Sequence, residues 1–514
     1  ERLIEDDALR LRLARYNLEA GEVAKRANAY QAALNFVGFG IRFLPDGGWQ
    51  PQYDLTRRLH LIGVQSAYLT GDYDSMHVLA DKAANRVVDP VEKVAFHEII
   101  TYAYASRRQW PEAVDEAIEA LAILGIRIPK KPGLIHVLKH LGRFHLTMGR
   151  RRPEDLLQLP ELKEPWVEAA LKIFISATSA AYLTSPNMFA IFFTEMVRLS
   201  ARYGNCQYSA FAYVGFGVFY GGALGFIDYG FRFGEVGKQV FEEYRSEELQ
   251  AKLYFSLYAF LQNWKVDVKQ LYPKLLEGFQ VGAQVGENEY AAWCLGMRAG
   301  MSTLSGEPLA QVEQDLEAAV KYARNLKQIE VISQGFRDYA RWWLDKETDA
   351  GNPLADGFVD QRGPVFEAEQ FYTALAEHDL MYGSMYFHYS RFEDAWRHLT
   401  RGWQYHKSLT GLFYYHQLAF YRAWCALKLQ QEQPGFFKKR ELKAILRDFS
   451  KWGEHSAANH GHKLTLFEAE QAVLERDKAR AMELFDAAIY QARRSEYDFH
   501  GSILRNFDLN GSSE

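Results

Sequence analysis

The sequence predicts an all-α fold, an α-solenoid of stacked helical hairpins forming a superhelix. Apolar residues recur at a three-to-four-residue period along nearly all of the 514 residues, and strand-like alternation is nearly absent. The 15 prolines sit mostly between helical segments, where they punctuate the pattern without breaking it. Small and aromatic residues fall at matching offsets in successive segments, at the roughly 34–40-residue intervals of helical-hairpin repeats.

The clearest unit is the stretch 381–405. Gly383 and Tyr386 share a face of one helix, Ser390 and Arg391 supply a turn, and Ala395 and Leu399 share a face of the next helix. A small residue meeting an aromatic lets two helices approach closely. This Gly-x-x-Tyr, turn, inward-Ala order is that of a tetratricopeptide-type repeat. One such hairpin cannot bury its own apolar face, so it implies neighbours.

In chain order, residues 8–24 and 27–44 form a first pair, closed by Pro45-Asp46-Gly47-Gly48. Residues 54–69 and 74–86 form a second, in which Gly71 suits a helix C-terminus and Asp72 an N-cap. Met76 stands where a small residue is expected, so this pair must splay or repack. Residues 91–106 and 110–124 form a third, with Trp110 and Ala113 spaced like Phe392 and Ala395, and Tyr104 offset from its Ala like Tyr386. Gly230, Gly234 and Gly237 occupy one face of a later helix, which permits unusually close approach although each Gly costs up to about 1 kcal/mol against Ala. Ala481, Phe485 and Ala488 repeat the small–aromatic–small spacing near the C-terminus.

The expected organisation is N-terminal hairpins over 1–125, a basic linker and amphipathic helix over 126–165, and aromatic-rich repeats over 166–345. A polar Gly/Pro-rich loop over 346–365 is the best internal boundary; further repeats over 366–498 and a frayed tail over 499–514 follow. In the basic segment Leu134, Val137, Leu138, Leu141 and Phe144 give the apolar face, and no acidic residue appears before Glu154. The helix also carries the bases Lys139, His140, Arg143 and His145; Lys139, Arg143, Arg150, Arg151 and Arg152 are either a solvated face or a docking surface for an acidic partner domain, with nucleic acid or a membrane as the remaining readings. In the centre, Tyr213, Tyr220, Tyr254, Tyr258, Trp264, Tyr290 and Trp293 are either core packing or a ligand or peptide groove.

The chain is 48% hydrophobic and 24% charged, enough to build a large core, and its formal net charge of -5 argues against a dedicated nucleic-acid binder. Cys206, Cys294 and Cys425 are far apart and read as reduced residues of a cytoplasmic protein. No run of 18 apolar residues could span a membrane. The start Glu1-Arg2-Leu3, without Met or a signal pattern, reads as an internal piece of something longer, and Asn510-Gly511-Ser512 as a chance sequon.

Catalytic constellations are missing. There is no P-loop, no G-x-S-x-G and no kinase loop, and Gly215-Phe216-Gly217 lacks the third Gly of a dinucleotide turn. His97-Glu98 opens like a zinc-protease helix but meets Thr101 where the second His belongs. His455, His460 and His462 read as exposed or capping residues. The expectation is no enzyme, no cofactor and no metal, with protein domains or a small effector as partners and no nucleic acid.

Several segments carry a resemblance. Leu18-Glu19-Ala20-Gly21 with Ala29-Tyr30-Gln31-Ala32-Ala33, Tyr203-Gly204-Asn205 with Ala210-Phe211-Ala212-Tyr213, and Gly225 to Gly230 occur in order. Gly306-Glu307-Pro308-Leu309, Lys451-Trp452 with His462-Lys463, and Glu468-Ala469-Glu470 continue the series. Together they resemble the helical-repeat region of bacterial multidomain signalling ATPases, which join a kinase-like domain, an AAA/STAND-type ATPase, helical repeats, a GAF domain and a histidine kinase. The resemblance spans nearly all of 8–498 and implies a sensor or interaction array controlling attached catalytic domains. It carries over no catalytic residue. The sensor region of a STAND transcription activator and a purely structural scaffold are the alternatives.

Overall fold

The computed structural model describes residues 4, 6–45, 48–324, 326–348, 350–355, 357–495 and 497; the expectations for 499–514 lie outside them. Among the described residues the elements are helices, and the one recorded β pairing is an isolated bridge between Glu161 and Asn205. The fold is an all-α solenoid of helical hairpins. It divides into two compact units, Glu1–Ala212 and Tyr213–Glu514.

The first unit opens with α1 (Asp7–Arg26), α2 (Tyr30–Phe43), α3 (Tyr53–Thr70), α4 (Tyr73–Ala84), α5 (Pro90–Ser106) and α6 (Trp110–Ile123). These are the three hairpins read from the sequence, within a few residues at each end. The first helices of the hairpins, α1, α3 and α5, also pack on one another. The turns share one device. Asn28, Gly71 and Arg108 have positive φ, and the N–H of the next residue donates five residues back, to the carbonyls of Ala24, Ala67 and Tyr104. That closes each first helix as a Schellman cap. Gly71 and Asp72 act as expected: Gly71 has φ +77°, and the Asp72 carboxylate accepts from Ser75 N–H. Met76 is absorbed by repacking, fully buried among Val64, Ala67, Ala80 and Phe96.

The regular succession is then interrupted. After α7 (Leu134–Met148) come α8 (Pro165–Ser176), α9 (Thr178–Thr184), α10 (Pro186–Tyr203) and α11 (Gln207–Val218), the last of which crosses the division. Helices α8 and α9 take the place of the next hairpin against α5 and α6, whereas α7 packs on α10. Thus α7 is inserted between hairpins, which leaves one of its faces uncovered.

The second unit holds α12 (Ile227–Glu243), α13 (Glu247–Tyr254), α14 (Tyr272–Val285), α15 (Asn288–Leu304), α16 (Leu309–Tyr322), α17 (Lys327–Trp343) and α18 (Arg362–Ala368). Then follow α19 (Tyr372–His388), α20 (Phe392–Gln404), α21 (Phe413–Glu432), α22 (Lys439–Gly453), α23 (Ala457–Leu474) and α24 (Lys478–Arg494). The odd-numbered helices α13 to α23 form one row, each touching the next, and α15 also reaches α21. This row is enclosed: every residue of α19 from Ala374 to Phe387 is buried. A helix buried on all sides carries no amphipathic stripe.

Glycines set the closest approaches. A Cβ on Gly383 would lie 2.6 Å from Leu399 Cγ and 3.3 Å from the Ala395 carbonyl, the partners that the hairpin spacing assigned to it. Gly217 at the end of α11 and Gly230 on α12 meet backbone to backbone, and Gly234 receives Leu261. The loop 346–365 lies inside the second unit, so the chain divides elsewhere than at the boundary expected from composition. It is bonded down on α17: Trp342 Nε1 donates to Gly351 O at 2.7 Å, and Arg362 pairs with the buried Asp338 at 2.7 Å.

Candidate partner-binding surface

Helix α7 starts after Pro132-Gly133, where His136 Nδ1 accepts the Gly133 N–H at 3.1 Å, and stops at Gly149, whose φ is +60°. One face is anchored. Val137, Leu141, Phe144 and Met148 are buried, and so is His140. His140 Nδ1–H donates to Glu195 Oε1 on α10 at 2.7 Å, and Arg198 Nη2 donates to Glu195 Oε2 at 2.6 Å. Burial alone would raise the Glu195 pKa, but the hydrogen bonds from His140 and Arg198 hold it below the usual carboxylate value. A buried acid needs such paired donors to stay charged. Asn187 Nδ2 also donates to Pro132 O at 3.0 Å and fixes the start of the helix.

The opposite face is bare. Leu134, Ile135, Leu138 and Leu146 are 66%, 80%, 59% and 84% exposed. The sequence reading put Leu134 and Leu138 on the buried face and His140 among the surface bases; the structure reverses both. The helix is turned so that the His140–Glu195–Arg198 cluster faces inward, a charge pairing that hydrophobic spacing does not encode. Exposed aliphatic side chains clustered on one helix face mark an interaction site more often than single scattered ones do.

The five basic residues separate. Lys139, Arg143, Arg150 and Arg152 are exposed. Arg151 is half-buried and structural: its guanidinium donates to Ala201 O at 2.9 Å and Thr147 O at 2.6 Å. Arg143 leans to within 3.7 Å of Glu195 while 47% of its side chain stays exposed. Among the described residues Lys139 and Arg150 have no acidic partner.

The central aromatics are placed mainly in the core. Tyr213, Tyr258, Trp264 and Tyr290 are buried, and Tyr220, Tyr254 and Trp293 are half-buried. Trp264 is seated over Gly221 and Gly222, and its indole N–H donates to Gly411 O at 3.0 Å. Tyr254 OH donates to Glu277 at 3.3 Å; burial first and that carboxylate second push its pKa to about 12. Tyr220 stacks among Phe216, Phe226 and Tyr229, and Trp293 lies on Phe255.

Two of the histidines expected at the surface are not there. His460 and His462 are buried, and burial lowers their pKa values well below the ordinary imidazole value. His460 packs edge-on against His416 at 4.9 Å, and the His462 ring lies tilted on Tyr497 at 4.8 Å. Nearby, Lys463 is enclosed by Phe413, Phe420 and Tyr497 and bonds Gln417 Oε1 at 3.0 Å; burial draws its pKa down to about 7. Glu377 on α19 is buried and has no cationic partner among the described residues, and burial raises its pKa to about 8. His97 bonds Glu116 at 2.7 Å across the α5–α6 pair. Among the described residues no group of three or more His, Cys, Asp or Glu could hold a metal ion, and no helix is long and apolar enough to cross a membrane.

A second open feature lies between α2 and α4. It is a groove of about 620 Å³ lined by Leu34, Asn35, Gly38, Phe39, Arg42, Asp74, Ser75, Val78 and Leu79.

No protein-family model matches this chain, and no curated protein is significantly similar to it. Solved structures do match. The crystal structure of yeast Tom70 is 12% identical with a TM-score of 0.30, covering 97% of each chain. A circular tandem repeat protein with novel repeat topology is 10% identical with a TM-score of 0.14, covering 97% of this chain and 94% of that one. Neither score is high enough to carry an argument about function.

Proposed function

We propose that this chain is a non-catalytic, partner-binding helical array that regulates catalytic domains attached to it. The observation that carries partner binding is the bare face of α7, with four exposed aliphatic side chains on a helix whose other face is anchored through Glu195. A rigid helix presenting apolar side chains loses little entropy on binding. The regulatory part rests on the ordered resemblance to the helical-repeat region of bacterial signalling ATPases. In that setting, engagement of α7 alters the packing of the array and thereby the output of a neighbouring ATPase or kinase. It can do so only as far as the partner prefers one packing over the other.

The test is turnover. In the polypeptide that carries this chain, ATP hydrolysis or autophosphorylation is measured with and without Leu138→Glu and Leu146→Glu together. Regulation through α7 changes the rate by at least about fivefold. An unchanged rate in a folded double variant removes the regulatory reading.

A further inference from the structure

We infer that the exposed face of α7 docks an acidic amphipathic α-helix of a protein partner, crossing α7 at Gly142; this rests on the reading that α7 binds a partner. Leu134, Leu138, Gly142 and Leu146 follow one another at four-residue spacing, and Ile135 flanks them. Such a row forms a ridge inclined to the helix axis, the element that interdigitates when two helices pack. At Gly142 the ridge is missing: a Cβ built there meets nothing within 4 Å. The gap is a notch between Leu138 and Leu146, into which the side chain of a crossing helix fits.

Charge chooses the partner. Lys139 and Arg143 lie four residues apart along one edge of the apolar row, and Arg150 stands just past the helix end. No acidic residue occurs between Leu124 and Pro153, although the chain as a whole is acidic at -5. A helix with aliphatic residues toward the notch and Glu or Asp along one flank satisfies both features, and surface charges of this kind decide partner choice and association rate. A lipid surface fits less well. Lys139 and Arg143 line one edge only, the bare face offers no Trp, Tyr or Phe to anchor in a headgroup layer, and a bilayer has no use for a notch.

The experiment titrates the whole chain with three labelled helical peptides of identical leucine pattern, flanked by Glu, by Gln or by Lys, and reads fluorescence anisotropy. The Glu peptide binds at least about tenfold tighter than the Lys peptide, and Lys139→Glu with Arg143→Glu inverts that order. Leu138→Glu with Leu146→Glu abolishes binding, while circular dichroism shows the helices intact. If the Gln or Lys peptide binds as tightly as the Glu peptide and still depends on Leu138 and Leu146, the acidic partner is wrong and α7 remains a docking face. If vesicles containing one-third phosphatidylserine retain the chain through those leucines and no peptide binds, a membrane replaces the helix. If neither peptides nor vesicles depend on Leu138 and Leu146, both the inference and the partner-binding reading fall.

Discussion

Gly230→Ala is the sharpest test of the packing described above. An added Cβ would lie 2.5 Å from Gly217 O and 2.8 Å from Gly221 Cα, where ordinary contact begins at 3.4 Å. The obstructing atoms are backbone, so no side-chain rotation relieves them, and α12 must retreat from the end of α11 by most of an ångström. Overpacking of this kind costs about 1–3 kcal/mol, and rigid partners place Gly230 at the upper end. Replacing a helical Gly by Ala returns up to about 1 kcal/mol of propensity. The net expectation is a loss of about 2 kcal/mol, a factor of roughly thirty in the folded-to-unfolded ratio. Gly461→Ala on α23, in the same unit, is the internal control. Its new methyl would sit 3.9 Å from Ala457 Cβ and Gln491 Oε1, ordinary contact, so only the propensity gain of up to about 1 kcal/mol remains. The two variants are compared by guanidinium denaturation followed at 222 nm. Midpoints moving in opposite directions support the close α11–α12 contact. A Gly230→Ala protein as stable as the parent would refute it.

Further expectations concern charge and turns. Glu377 ionises at about pH 8 in the fold against an ordinary 4.5, so the fold takes up a proton that the unfolded chain has lost, and stability falls as pH rises between those values. Glu377→Gln removes that slope, on the order of 4 kcal/mol by pH 8, in melting temperatures taken from pH 5 to 9; an unchanged slope contradicts the buried, unpaired carboxyl. Lys463 behaves oppositely: its pKa of about 7 against 10.5 makes stability decline as pH drops from 10.5 toward 7, and Lys463→Met flattens that limb in the same melts. Glu195→Ala strands His140 and Arg198 and costs about 3–5 kcal/mol, with amide exchange rising first in α7; protection of α7 equal to the parent would show that the anchor is unimportant. Arg108→Gly relieves a left-handed residue at φ +61° and raises the melting point by the equivalent of about 1 kcal/mol, whereas a lowered melting point would mean that the Arg108 side chain contributes more than its backbone conformation costs.

Much of the hairpin plan was legible in the sequence because it is local. The spacing of Tyr104, Trp110 and Ala113 and of Tyr386, Phe392 and Ala395 reflects contacts within one pair of helices, and the six helices of the first three hairpins fall where the period placed them. Gly383 meets Ala395 and Leu399, and Gly230 meets a neighbouring backbone, because close approach demands a missing side chain at that very position. The candidate surface was only half legible. Composition marked the basic stretch, and hydrophobic period placed Val137, Leu141 and Phe144 on the buried face, but it also put there Leu134 and Leu138, which are exposed.

What the sequence by itself determined is which segments are helices, how they pair and where small residues let them touch, since each depends on residues within one or two turns of one another. The tertiary structure alone decided which face of α7 is bare, because that depends on Glu195, 55 residues away from His140. It alone decided that Trp264 is a core residue, through a carbonyl 147 residues further on, and that His460, His462 and Lys463 lie inside. Burial of that kind is a property of helices brought together from distant parts of the chain, and no local period records it.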